Sequence, residues 1–481
     1  MKNTAHNQGR GRADFEDNTV EILEDAVCLS PALSFVDDKV FIGRNILQKR
    51  EMAGDQVGQS ISYDVEVPVL ICSDRSVIEI PKPKTKDAAE LIPLGKNYVK
   101  GRISSMPKRW SIESINEFLN ETDAGPPDIR IVYANIVKAF KEWCYLAEEY
   151  NYDVLSLHVL GSYFYPLWNS YPYVNLNGPK GSGKTTVGSV AEQIAFNGLQ
   201  LVDPSPASLF RQIESLMPYL VIDEAENVKS GRDAELNHSL MSVLKAGYQK
   251  GPQIPRQNQR SIGVTELFNV FSPKLICNVH GNEEILQDRS FSVITTTAPK
   301  GSVSRVRPTG QNPMFKTLRD SLYLSLMYHH KTVSNIVRRS INNDQDNRLG
   351  ELSQPLLDLA YWVDGCRKNG KVAENVRKAI KYQYNVRLFA NEHTTVGALV
   401  RTSWAILEGK EECDVTPKDF IKVLQKQEPD TKSISPTMLG KLLSTNRIID
   451  PRLTTRRGKN KEITYKLSKR ILEKLVQSKD V

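Results

Sequence analysis

The chain has 481 residues, 40% hydrophobic and 25% charged, which is enough to bury the cores of two to four globular domains. No run approaches the ~18 apolar residues of a membrane span, and Met1 to Asp17 lacks the apolar stretch of a secretory signal, so a cytoplasmic protein with no membrane partner is expected. The formal net charge is +8, and Val415 to Val481 carries sixteen Lys/Arg against seven Asp/Glu, a surplus of nine that points to a polyanionic partner for this end.

Residues 1–18 are polar and expected to be disordered. Over 19–125, short runs such as Val40-Phe41-Ile42, an alternating Ile61 to Ile71 and Val77 to Ile80 predict an N-terminal β-rich domain. After Gly125-Pro126-Pro127, apolar spacing predicts helices over Ile129 to Tyr150 and Val154 to Trp168. Pro172 to Asn177 reads as a buried strand, and Thr186 to Phe196 as a helix. Between them lies Gly178-Pro179-Lys180-Gly181-Ser182-Gly183-Lys184-Thr185, the pattern G-x-x-x-x-G-K-[ST]. Glycines let the backbone wrap a polyphosphate with its N–H groups inward, at the positive end of a helix. Residues from Gly178 to Thr186 are therefore the expected ATP contacts. Lys184 would reach the β- and γ-phosphates, and the Thr185 hydroxyl would join a Mg²⁺ shell.

Further strands are predicted at Gly198 to Val202, Tyr219 to Glu224, Pro273 to Asn278 and Phe291 to Thr296, with helices at Ser205 to Leu216 and Asp233 to Ala246. This alternation predicts a parallel sheet between helices, with ligands at the carboxyl ends of its strands. Lys184, Asp223, Glu224 and Asn278 all fall at such ends. Asp223 would hold Mg²⁺, and Glu224 would orient or deprotonate the attacking water. Asn278 ends a strand expected between the one before the glycine loop and the one that ends in Asp223, where its amide would position that water. Arg289, just before the last strand, is placed to project into a neighbouring subunit's site. The plain alternatives are strand-end caps for the carboxylates and Asn278, and an Asp288–Arg289 surface pair. The insertion Gly247 to Asn269 has the alternation of a β-hairpin, with Lys250, Arg256 and Arg260 as candidate phosphate grips; a solvated loop is the alternative.

Residues 313–412 read as a helical lid, with His329-His330 expected in a solvated C-terminal turn rather than a metal site. Over 413–481, Thr416-Pro417 and Ser435-Pro436 open helices. Strand-like Arg452 to Thr455 and Glu462 to Leu467 flank Arg456, Arg457, Lys459 and Lys461. Helices followed by a cationic hairpin look like a winged helix, with one helix in a major groove of duplex DNA and the wing on phosphate. Winged helices also mediate protein contacts.

In this order the residues of about 150–300 resemble the AAA+ ATPase fold, so that 126–312 would be an AAA+ P-loop core. More narrowly, "LHVLGSYFYPLW…YPYVNLNGPKGSGKTT", "LVIDEAE", "LKAGYQKG" and "LQDRSFSV" look like the helicase ATPases of phages and other mobile elements, a group similar in layout to the minichromosome-maintenance helicases. The resemblance implies a homo-hexameric ring that hydrolyses ATP and translocates on single-stranded DNA in its channel. It also calls for a sensor-2 arginine, for which Arg348 is the candidate. The rival readings are a DNA-bound ATPase switch that does not unwind and a protein-remodelling ATPase; the hairpin insertion favours the helicase.

Overall fold

The computed structural model describes residues 27–53, 60–81, 91–100, 103, 109–146, 148–179, 181–200, 206–223, 233–257, 265–277, 288–340, 348–367, 369–392, 395–407, 410–427, 434–445, 448–449, 455–457 and 462–472. The N-terminal strands are β1 (Cys28–Leu29), β2 (Ser34–Val36), β3 (Lys39–Ala53), β4 (Ser60–Cys72), β5 (Val77–Glu79), β6 (Leu91–Leu94) and β7 (Asn97–Lys100). They form a four-stranded antiparallel sheet, β2-β3-β4-β5, and a three-stranded one, β1-β7-β6. The strands expected to be short include a hairpin of 15 and 13 residues, β3 and β4. Its pleat divides two cores. Val40, Ile42, Val67, Val69 and Ile71 join the main core of the molecule, whereas Phe41, Leu70 and Cys72 pack with Leu29, Ile92 and Val99.

Three helices follow: α1 (Ile112–Leu119), α2 (Ile129–Trp143) and α3 (Glu149–Gly161). The helix expected over Ile129 to Tyr150 therefore stops at Trp143, and the one expected over Val154 to Trp168 runs from Glu149 to Gly161. Cys144 is extended, and the Tyr152 hydroxyl closes the break by donating to Cys144 O at 3.0 Å and accepting from Leu146 N at 2.9 Å. Helix α3 is buried on every face from Asn151 to Gly161, the signature of a central helix.

The core adds β8 (Tyr173–Asn177), α4 (Lys184–Ile194), β9 (Leu199–Gln200), α5 (Pro206–Leu216), β10 (Leu220–Ile222), α6 (Asp233–Ala246), the hairpin β11 (Gln253–Gln257) and β12 (Thr265–Asn269), β13 (Lys274–Cys277) and β14 (Ser290–Ile294). The expected parallel sheet is present, ordered β14-β8-β13-β10-β9, with every pairing parallel. Tyr173 to Leu176 and Leu220 to Ile222 are buried, as strands covered on both faces must be.

Four helices come next: α7 (Pro313–Ser340), α8 (Arg348–Val363), α9 (Lys371–Glu392) and α10 (Thr395–Leu407). The histidine pair lies in mid-α7, not in a terminal turn, because the helix continues to Ser340. Buried His330 bridges Met327 O and Asp38 O, and His329 meets Pro127 O at 3.0 Å. The chain ends in β15 (Glu412–Val415), α11 (Pro417–Gln427), α12 (Pro436–Thr445), β16 (Thr455–Arg457) and β17 (Glu462–Ser468), with sheet order β15-β17-β16. Thr416 caps α11 by accepting from Asp419 N at 3.2 Å, and Ser435 caps α12 by accepting from Met438 N at 3.2 Å. Phe420, Leu424, Leu439, Leu443, Tyr465 and Leu467 fill a separate small core. Among the described residues no helix is long and apolar enough to cross a membrane.

Candidate phosphate site and its opposite edge

Strand β8 delivers the chain to Gly178 at the carboxyl edge of the sheet. A Cβ on Gly178 would lie 2.4 Å from both the carbonyl and the hydroxyl oxygen of Thr295, so only glycine admits this approach. Gly181 and Gly183 have φ of 82° and 87°, and Gly183 is the left-handed N-cap from which α4 starts. The turn is braced from the neighbouring strand: Thr295 Oγ1 donates to Asn177 O at 3.2 Å, and Ser182 Oγ donates to Thr295 Oγ1 at 2.7 Å. Buried Lys184 folds its ammonium onto the loop, donating to Gly178 O and to Pro179 O. A cation held over a loop that only glycine can make, at a helix N-terminus, fits a polyphosphate. Thr185 is exposed and Thr186 half-buried in the first turn of α4. Lys180 lies outside the described residues.

Asp223 directly follows β10 and is half-buried. Cys277, at the end of β13, lies near both carriers of charge: its Sγ contacts Lys184 O at 3.7 Å, and both Asp223 and Lys184 act on it electrostatically. Burial pushes that thiol up first, and the Asp223 carboxylate adds to the rise. The loop and Asp223 therefore share one edge. Strand β13 stands between β8 and β10, so its carboxyl end at Cys277 lies between the phosphate loop and Asp223 in strand order. Glu224 and Asn278 lie outside the described residues.

Arg289 occupies the opposite edge. Its carbonyl accepts from Tyr173 N at the start of β8, one strand length, about 15 Å, from the loop. It is half-buried, with its guanidinium carbon 4.8 Å from the Tyr248 ring centroid. Arg348, at the start of α8, has its own guanidinium carbon 5.5 Å from the same ring and is 4.0 Å from an Asp288 carboxylate oxygen. The two candidate arginines thus share one aromatic platform, away from their own chain's phosphate loop. Tyr248, which the sequence alone did not single out, sits at the root of the hairpin.

That hairpin is formed as expected, pairing Gln253 with Asn269 through to Gln257 with Thr265. Its root is clasped by Lys274, another residue that reading alone did not single out, although a lysine inside an apolar strand is the signal. Fully buried, its ammonium donates to Gly247 O, Val270 O and Ser272 O at 3.2, 3.1 and 2.9 Å. Burial lowers its pKa well below the usual lysine range. Lys250 and Arg256, expected to grip phosphate, are held by the protein itself. Lys250 donates to Pro166 O, while Arg256 stacks 4.5 Å from Phe210 and donates to Ser239 Oγ at 3.2 Å. Arg256 lies against buried Phe210, whereas Lys250 stays exposed. Arg260, Lys459 and Lys461 lie outside the described residues; Arg456 and Arg457 lie in β16, opposite Ile463 and Glu462.

No protein-family model and no curated protein matches the chain. Among solved structures, it is similar to the active helicase Cch of SCCmec type IV, with 9% identity, a TM-score of 0.36, and 84% of this chain and 77% of that one covered. A JCV helicase bound to a small molecule matches at 14% identity and a TM-score of 0.22, over 58% of this chain and 67% of that one. Drosophila ORC bound to DNA matches at 11% identity and a TM-score of 0.20, over 74% and 93%.

Proposed function

We propose that this protein is an AAA+ ATPase whose copies assemble head to tail into a ring, hydrolyse ATP between neighbours and translocate on DNA as a helicase of a phage or mobile-element replicon. One observation carries the reading: the phosphate loop and Arg289 lie on opposite edges of one parallel sheet whose middle strand, β13, separates the loop from Asp223. A nucleotide in the loop is then completed by a cation from the next copy, at an interface between two different surfaces. Residues Gly178 to Thr186 hold the phosphates, with Lys184 exchanging its carbonyl partners for phosphate oxygens. Thr185 and Asp223 are the residues that would hold Mg²⁺, which neutralises charge on the β- and γ-oxygens. Glu224 orients and deprotonates water, and Asn278 positions it. Arg289, with Arg348 beside it, offers positive charge to the neighbour's γ-phosphoryl group.

On this reading DNA meets Arg260, in the segment that joins β11 to β12, and a winged helix made of α11, α12, β16 and β17, with Arg456, Arg457, Lys459 and Lys461 on phosphate. The engagement of Lys250 and Arg256 within the protein favours one second reading, a DNA-bound ATPase switch that does not unwind. Forked-duplex unwinding with Mg²⁺ and ATP, beside the ATPase rate with and without single-stranded DNA, tests both. Unwinding and hydrolysis in the wild type, both lost in Lys184→Ala, are the expected result. Hydrolysis stimulated by DNA without unwinding would select the switch, and a wild type that does not hydrolyse ATP would overturn the proposal.

A further inference from the structure

Three arginines gather far from the phosphate loop, where β3, the segment before α1 and helix α7 meet. Arg109 and Arg319 are each 6% exposed, and Arg44 is half-buried. Arg109 donates from Nη1 to Gly43 O at 3.1 Å, so it lies beside Arg44. Arg319 donates from Nη1 to Gln193 O at 2.6 Å, in the last turn of α4. Tyr323, one turn along α7 from Arg319, stacks on Trp110 at 5.6 Å and lies within electrostatic reach of all three guanidiniums.

Their charges are poorly answered. Among the described residues the carboxylate that faces the group is Asp320, and it already accepts from Ser111 N and Ser111 Oγ at 2.9 and 2.8 Å. Among the described residues, three cations face this one carboxylate, a surplus of positive charge. Donors are left over as well: Arg44 Nε, Arg319 Nε, and both Nε and Nη2 of Arg109 have no acceptor. The last two N–H groups point the same way and form the side-on fork of a guanidinium, whose spacing matches two oxygens of one phosphate. Burial lowers the pKa of Arg44 and of Arg109, and the Arg44 charge lowers Arg109 further. Buried guanidiniums without a counter-charge are costly, and a doubly charged acceptor would answer charge and donors together.

We propose that Arg44, Arg109 and Arg319 form a structural binding site for a compact dianionic oxyanion, inorganic phosphate in particular. The burial of Arg109 and Arg319 leaves little room for an organic substituent. The anion would join the N-terminal strands to α7 and, through Arg319, to the C-terminal turn of α4, the helix whose other end forms the phosphate loop. This site is independent of what the loop binds.

The test uses the full-length Lys184→Ala chain, so that the phosphate loop does not dominate, dialysed into chloride. Equilibrium dialysis with radiolabelled phosphate at constant ionic strength is expected to show saturable binding, with a parallel rise in the thermal midpoint. Adding Arg109→Met should weaken that binding by about tenfold or more, the loss of a bidentate charged contact. Arg44→Met in the same background, at a half-buried position, gives a second measurement if Arg109→Met fails to fold. Unchanged phosphate affinity in a folded arginine variant would overturn the assignment, as would the absence of any binding beyond that loop. Effective competition by glycerol 2-phosphate would overturn the restriction to an inorganic ion, whereas sulfate should compete.

Discussion

His158, on the central helix α3, touches the amino end of β8 and shows how one buried side chain sets the height of the sheet. Its Nε2–H donates to Pro172 O and, in the neutral ring, its Nδ1 accepts from the Tyr219 hydroxyl, both at 2.8 Å. Complete burial lowers its pKa from 6.5 to about 4. Above pH 6.5 the ring is neutral in folded and unfolded chains alike. Between 6.5 and about 4 the unfolded chain takes up a proton that the folded one refuses, so stability falls as pH falls through this window. The loss should total about 3 kcal/mol. Urea unfolding of the wild type and His158→Gln at pH 7, 6 and 5 checks this: the wild type's advantage should shrink with acidification, and a constant difference would contradict it. At the same scale Lys184 is held by the carbonyls of the loop it serves. Lys184→Ala should leave the unfolding midpoint within a few degrees of wild type while lowering ATPase kcat/KM by at least about a hundredfold. Equilibrium unfolding and steady-state kinetics on the same preparation separate the two effects.

At the scale of elements, the hairpin β11–β12 and the two arginines are fastened to one another. Lys274 clasps both ends of the insertion, and the next residue after Gly247 is Tyr248, whose ring lies under Arg289 and Arg348. A cation over an aromatic face contributes about 0.5–2 kcal/mol, enough to fix a flexible guanidinium. Tyr248→Ala should therefore lower ATPase kcat about tenfold with little change in KM, whereas Tyr248→Phe, which keeps the ring face, should stay close to wild type. Equal losses in both variants would instead point to the hydroxyl or to general unfolding. Much of this region was legible beforehand: the glycine loop, the carboxylate after an apolar strand and the alternation of the hairpin are all local patterns. The Tyr248 platform was not, because Arg348 lies a hundred residues further on and meets it only through tertiary packing. The break after α2 was hidden for a similar reason, since the Tyr152 hydroxyl that closes it comes from the next helix. Strand β15 was missed because Glu412 to Val415 has little apolar content and is held by its pairing with β17.

For the molecule as a whole, the decisive relation is between the two edges of the parallel sheet. A loop at the carboxyl edge and an arginine pair about 15 Å away at the amino edge cannot act on the same nucleotide within one copy. On the proposed function, two such different surfaces would meet head to tail, and contacts of that kind either close into rings or run on as filaments. The consequence can be measured by mixing two inactive proteins. Lys184→Ala retains the arginines but cannot hold nucleotide productively; Arg289→Ala retains the loop but offers no cation. In an equal mixture that exchanges subunits at random and has independent sites, about one interface in four joins an intact loop to an intact arginine. ATPase activity near that fraction of wild type is therefore expected from the mixture and not from either protein alone. It should fall away on dilution below the concentration at which the assembly, followed by light scattering, comes apart. If Arg289 instead served its own copy's nucleotide, every subunit in the mixture would carry one defect at its own site, and no proportion of the two proteins would restore turnover.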